Sequence, residues 1–213
     1  MIQRYLLALA ILCLSACSAV SPVTMPKTPA YTSAAESGTV FGSIGASVIS
    51  GGITNWGLYF RRVGDTDAGL FSYIYSGLSD TPRDFSVGKT HGSVFSTALP
   101  AGEYEIFNVY YFQNMAQFGT RVYSAPQPFS VRFTVVPNKA VYLGQFMGYR
   151  TTAKNLFGIP ITSGAYFVVG DALERDVDIL AKRNVQIKLD DVNKTSSAFL
   201  QSGVPYFQSA IME

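Results

Sequence analysis

Seven residues, Phe129-Ser130-Val131-Arg132-Phe133-Thr134-Val135, alternate apolar and polar with a period of two. Only an extended chain places Phe129, Val131, Phe133 and Val135 on one face and the polar residues on the other. The segment therefore predicts a half-buried strand, and with it a sheet that covers a core on one side. Pro137-Asn138-Lys139 breaks the run, and Val141 to Tyr149 predicts a second strand, with Gly144 and Gly148 leaving room for close backbone packing. Together the two segments predict a hairpin through 137–139. Upstream, the aromatic-rich runs Trp56 to Phe60 and Gly69 to Tyr75 flank the turn cluster Gly64-Asp65-Thr66-Asp67. Thr39 to Val48 and Ala165 to Val169 are further strand candidates.

Leu99-Pro100-Ala101-Gly102-Glu103-Tyr104 is the most informative turn. Proline presets φ at the second position and glycine suits the fourth. Val94 and Phe95 precede it, and Ile106, Phe107 and Val109 follow it. A tyrosine two residues past such a glycine is placed to bond back onto the turn, as tyrosine corners do in β-sandwiches. One helix is predicted near 171–183. Asp171 caps it with Glu174 three residues on, and Leu173, Val177 and Leu180 form the apolar stripe. Lys182 and Arg183 lie where the helix dipole favours positive charge. Glu174, Asp176 and Asp178 read as dipole partners rather than metal ligands, since no histidine is near in sequence. In the tail, Tyr206 and Phe207 are placed to pack on the body or to help a partner.

The motifs Leu-Pro-Ala-Gly-Glu-Tyr-Glu-Ile, Pro-Phe-Ser-Val-Arg-Phe at 128–133 and Val-Tyr-Leu-Gly at 141–144 resemble a pattern of uncharacterised proteobacterial lipoproteins. The turn-and-tyrosine feature is also similar to that of transthyretin-like, prealbumin-type sandwiches. The resemblance spans about half the body. It implies a mainly β, antiparallel sandwich and no activity. Asn138 departs from it, standing where the hairpin glycine is usual.

At the N-terminus, Arg4 precedes an apolar run from Tyr5 to Leu14, too short to span a bilayer as a helix. This is the make-up of a secretory signal. Leu14-Ser15-Ala16-Cys17 resembles the lipobox of bacterial lipoproteins. That resemblance implies cleavage after residue 16 and a diacylglyceryl thioether on Cys17, so that the membrane partner is lipid held through that residue. Two or three acyl chains would suffice as an anchor where one holds only marginally. Ser18, where an aspartate would retain the protein at the inner membrane, implies the outer membrane, facing the periplasm by default. The other cysteine, Cys13, leaves with the signal, so no disulfide and no cysteine-based zinc site is expected. Residues 17–37 read as the lipidated cysteine and a tether rich in Ser, Ala, Thr and Pro, with a mean span of about 25 Å. Residues 38–213 fit one domain.

Hydrophobic residues make up 48% of the chain and charged residues 14%, which gives a full core and argues against disorder. Loss of Arg4 with the signal leaves 15 basic against 14 acidic side chains, and the basic ones are scattered. Such a surface lacks the basic stripe of a nucleic-acid binder. The only histidine, His91, lies between Thr90 and Gly92, without a Gly-x-Ser-x-Gly elbow in the chain. No phosphate loop or metal constellation is present, so neither a cofactor nor a metal is expected.

The sequence thus predicts a noncatalytic envelope module that binds another envelope protein or assembly, with Tyr110 and Tyr111 as candidate contacts. Packing of these two into the core is the competing reading. The alternative is a carbohydrate- or peptide-binding lipoprotein with a cleft lined by Trp56 and tyrosines, which a closed sandwich would exclude. A hydrolase using His91 requires a serine hydroxyl and an acid beside the ring. A small outer-membrane barrel is disfavoured by short strands and the predicted helix.

Overall fold

The computed structural model describes residues 37–47, 52–77, 82–115 and 119–209. The expected signal, Cys17 and the expected tether, all within residues 1–36, lie outside them. Ser37 opens the first strand.

Two sheets pack face to face. One contains β1 (Ser37–Ser47), β4 (Phe85–Val87), β5 (Thr90–Pro100), β9 (Ala140–Lys154), β10 (Pro160–Gly170) and β12 (Phe207–Ser209), in the order β12-β10-β9-β1-β5-β4. Its seventh strand, β11 (Val192–Lys194), pairs with the start of β9. The other sheet runs β3 (Ala68–Ser76), β2 (Ile53–Arg62), β6 (Gly102–Met115), β7 (Gly119–Ser124), with β8 (Val131–Val135) also on β6. The chain is a mainly β sandwich. The larger sheet is mixed, since β1 and β11 run parallel to β9 and β12 runs parallel to β10.

The period-two reading holds over Val131–Val135, where Val131, Phe133 and Val135 are buried and the residues between them exposed, while Phe129 and Ser130 precede the strand, with Phe129 partly buried against the core. The hairpin predicted through 137–139 does not form. β8 pairs with β6 in one sheet and β9 with β1 and β10 in the other, so the turn carries the chain across the sandwich. Both strands bury a face in the same core, which is why their local patterns look like those of partners. Asn138 takes φ +57° and its N–H donates to the Ser37 carbonyl, which ties the crossing to β1.

Each strand contributes alternate residues to the shared core, and β9 switches phase in mid-strand. Val141 and Leu143 point inward, then Phe146 does. A bulge opposite Gly42 inserts the extra residue, with Gly144 at φ +123°. A Cβ on Gly148 would lie 2.3 Å from the Trp56 ring, so glycine there makes room for the indole. The Leu99–Tyr104 turn closes as its sequence predicts, with the buried Tyr104 hydroxyl donating to the Pro100 carbonyl at 3.0 Å.

The outer face of the larger sheet is covered by α1 (Leu173–Lys182), whose Leu173 and Leu180 pack on Phe41, Val94 and Tyr142. Its N-cap is Ala172, one residue later than predicted, although the Asp171 carboxylate still accepts from the Leu173 N–H at 3.0 Å. Arg183, just past its end, bonds the Val94 carbonyl and the Asp84 carboxylate. A second, six-residue helix, α2 (Ser196–Gln201), is too short to leave a periodic signal; its Phe199 packs edge-on against Phe146 and Phe207.

Candidate functional site

Strand β6 is 14 residues long, but its outer partners are short. β8 pairs with Gly102–Ile106 and β7 with Tyr110–Met115. Between them neither strand pairs with residues 107–109 of β6, and the β7–β8 connection passes there, with the Ala125 N–H donating to the Asn108 side chain at 2.9 Å. The interrupted ladder opens the sandwich at the edge facing β10. The resulting cleft holds about 330 Å³, at the small end of the range for ligand sites.

Tyr110, Tyr111, Tyr123 and Tyr206 line it, together with Phe167, Ser124 and Ser163, and no Asp, Glu, Lys, Arg or His does. The Tyr111 and Tyr123 rings stack at 5.6 Å and 24°. Behind Tyr111 lies Trp56, with ring centres 4.2 Å apart, and Trp56 meets Phe167 edge-on at 5.7 Å. Two bonds brace the inner wall. The Tyr123 hydroxyl donates to the Thr162 carbonyl across the sheets, and the Tyr111 hydroxyl donates to Gln113 Oε1 at 2.9 Å. Burial raises the Tyr111 phenol's pKa against the pull of the Arg150 charge, so the ring stays a neutral donor. The buried Trp56 indole N–H has no hydrogen-bond partner.

The candidate contacts Trp56, Tyr110 and Tyr111 are 2%, 5% and 1% exposed. They are not protruding anchors. Trp56 and Tyr111 join the inter-sheet core, because β2 and β6 are central strands whose alternate residues face the opposing sheet. The structure nevertheless brings Tyr110 and Tyr111 to one cleft, with Trp56 stacked behind. Tyr123 and Ser163 were not singled out by the sequence. Each sits in a short polar stretch without periodicity, and only the pairing of β7 and β10 onto different sheets brings them together.

His91 lies near the start of β5. Its Nδ1 is 2.8 Å from Ser86 Oγ and its Nε2 3.3 Å from Arg83 Nη1. A guanidinium only donates, so Nε2 accepts and the proton of the neutral ring sits on Nδ1. A cation therefore occupies the place where a triad puts an orienting carboxylate. Burial, and then the Arg83 charge, lowers the His91 pKa.

Asp176 is the largest departure from the sequence reading. It is no solvated dipole partner but is fully buried between α1 and the sheet. It accepts from Ser43 Oγ at 2.8 Å, Tyr142 OH at 3.2 Å, and Arg175 Nε and Nη2 at 3.0 and 2.6 Å. Arg175 also lies over the Phe85 ring at 3.7 Å. Burial raises the Asp176 pKa, and the bonds from Arg175, Ser43 and Tyr142 oppose the rise. With every oxygen engaged, the cluster locks the helix to the sheet. Among the described residues, no group of three or more His, Cys, Asp or Glu is placed to hold a metal.

No protein-family model matches the chain, and no curated protein matches it in sequence.

Proposed function

We propose that this chain is a noncatalytic binding module of the bacterial envelope, anchored to the outer membrane by lipid on Cys17, whose edge cleft takes a neutral carbohydrate. The observation that carries the ligand is the cleft's lining: stacked tyrosines and serine hydroxyls, without a charged side chain. Sugars present apolar C–H faces that stack on an aromatic ring such as Tyr123 and hydroxyls that exchange hydrogen bonds with serines, while the lining carries no charged side chain and the nearby Arg150 is engaged by the Tyr111 hydroxyl. The anchor rests on the likeness of Leu14–Cys17 to a lipobox and on Ser18 after it.

Docking of an envelope protein is the second reading. Ile74 and Val122, 50% and 41% exposed, favour it, because both lie on the outer face of the five-stranded sheet.

Because Trp56 stacks on a cleft residue, its emission reports occupancy. Neutral oligosaccharides of envelope type should change it saturably, and Tyr123→Ala should weaken the response at least about tenfold, since stacking groups dominate such sites. A full panel of neutral glycans that leaves Trp56 emission unchanged would remove the carbohydrate reading.

A further inference from the structure

Strands β9 and β10 form the longest hairpin of the fold, and its tip carries large apolar side chains outward. Leu156 is 102% exposed, Phe157 85% and Ile159 57%. The last six residues of β9 are all exposed, so the hairpin projects beyond the sandwich. Nothing in the fold requires apolar side chains there, and a solvated turn normally carries polar ones.

Four N–H groups of the tip are paired within it. Asn155 Oδ1 accepts from the N–H groups of Phe157 and Ile159, the Asn155 carbonyl accepts from Gly158, and the Asn155 N–H donates to the Ile159 carbonyl. Gly158, at φ +75°, permits the turn. A turn with four of its N–H groups paired internally gives up fewer hydrogen bonds to water on entering the headgroup–acyl boundary. Exposed Lys154 stands below the tip, and no acidic residue occurs from Tyr149 to Gly170. A basic group beneath an apolar tip matches anionic headgroups above acyl chains. Because β1 runs parallel to β9 with Thr39 paired to Ala140, the start of β1 lies at the opposite pole from the tip.

We propose that the Leu156–Ile159 tip inserts into the outer layer of a phospholipid bilayer with anionic headgroups, giving the body a membrane contact of its own. The contact depends neither on lipid at Cys17 nor on the tyrosine cleft. Leu156 and Phe157 stand free of the body, which suits a fluid, non-directional phase better than a shaped protein groove.

The test uses the full chain carrying Phe157→Trp or Leu156→Trp, mixed with phosphatidylglycerol–phosphatidylethanolamine vesicles whose acyl chains are brominated near the glycerol end. The introduced indole should shift its emission to the blue by about 10 nm or more and be quenched. The parent protein, with Trp56 alone in the core, should be unaffected. Lys154→Glu in the F157W background should weaken the partitioning several-fold at low salt and less at high salt. An introduced indole that keeps water-like, unquenched emission in both variants, with Trp56 native-like, would overturn the proposal and leave the tip to a protein partner.

Discussion

Truncating Asp176 tests whether the buried cluster fastens α1 to the sheet. Asp176→Ala removes four hydrogen bonds to a carboxylate that is itself fully buried. Breaking one partner out of a buried ion pair costs about 3–5 kcal/mol. Arg175 keeps 29% of its side chain exposed and still donates to Ser43 at 2.8 Å, so its charge is partly recovered by water. That places the loss near the lower end, at about 3 kcal/mol. For a domain of this size it corresponds to a fall in Tm of about 6–12 °C. Asp176→Asn keeps the shape and one acceptor oxygen for Arg175 and should cost about 1–2 kcal/mol. The sign of the pH dependence follows from the raised pKa of Asp176. The folded state binds this proton more tightly than the unfolded state. Its contribution is therefore fully present below the ordinary aspartate pKa of about 3.9 and is lost as pH rises through the folded value. The stability of the parent relative to D176N should accordingly be greater at low pH and level off below about 4. Urea unfolding of the three proteins between pH 4 and 8 measures both effects. A D176A protein within 2 °C of the parent, or a D176N protein less stable than D176A, would refute the reasoning.

Two further substitutions test the frame around the cleft. Gly148→Ala places a methyl group against Trp56 Cε3 and Cδ2 at 2.3 and 2.5 Å, and should cost about 1–3 kcal/mol by urea unfolding and shift the Trp56 emission. Tyr104→Phe removes the bond to the Pro100 carbonyl at the closed turn and should cost about 1 kcal/mol, a fall in Tm of about 2–4 °C.

Strands were legible wherever one face is wet. Val131, Phe133 and Val135 alternate with polar residues because water takes one side of β8, and that asymmetry is written in local sequence. Partners were not legible. Phe133 buries its ring equally well whether its strand is laddered to β6 or to β9, so the pattern could not show that the chain crosses the core at Asn138. Asp176 did leave a signal that the helix reading passed over. Leu173, Asp176, Val177 and Leu180 stand at i, i+3, i+4 and i+7, and a carboxylate inside an apolar stripe requires buried partners. Those partners, Ser43 and Tyr142, come from β1 and β9 more than 30 residues away, where no local pattern points to them. The cleft was illegible for a related reason: it is a gap in pairing, formed because β7 and β8 each cover only part of β6.

The parallel pairing of β1 with β9 also constrains how the proposed anchor and the proposed tip could serve one membrane. The 15 residues of β9 reach about 50 Å at strand rise, from the pole where β1 begins to the pole that carries the hairpin tip. As the flexible tether that composition predicts, the 19 residues from Ser18 to Glu36 would stretch to at most about 65 Å and average about 25 Å. An upright body on a relaxed tether therefore holds Leu156 and Phe157 far from the bilayer that holds Cys17. Both contacts can reach the same bilayer only when the body lies along it. In that posture the bilayer runs beside the sandwich from pole to pole, so either the cleft edge or the outer face bearing Ile74 and Val122 can be turned toward lipid, but not both. Quenching of the tip in lipidated protein would then imply the recumbent posture, and the cleft's access to soluble glycan in that state would show which side remains turned to water.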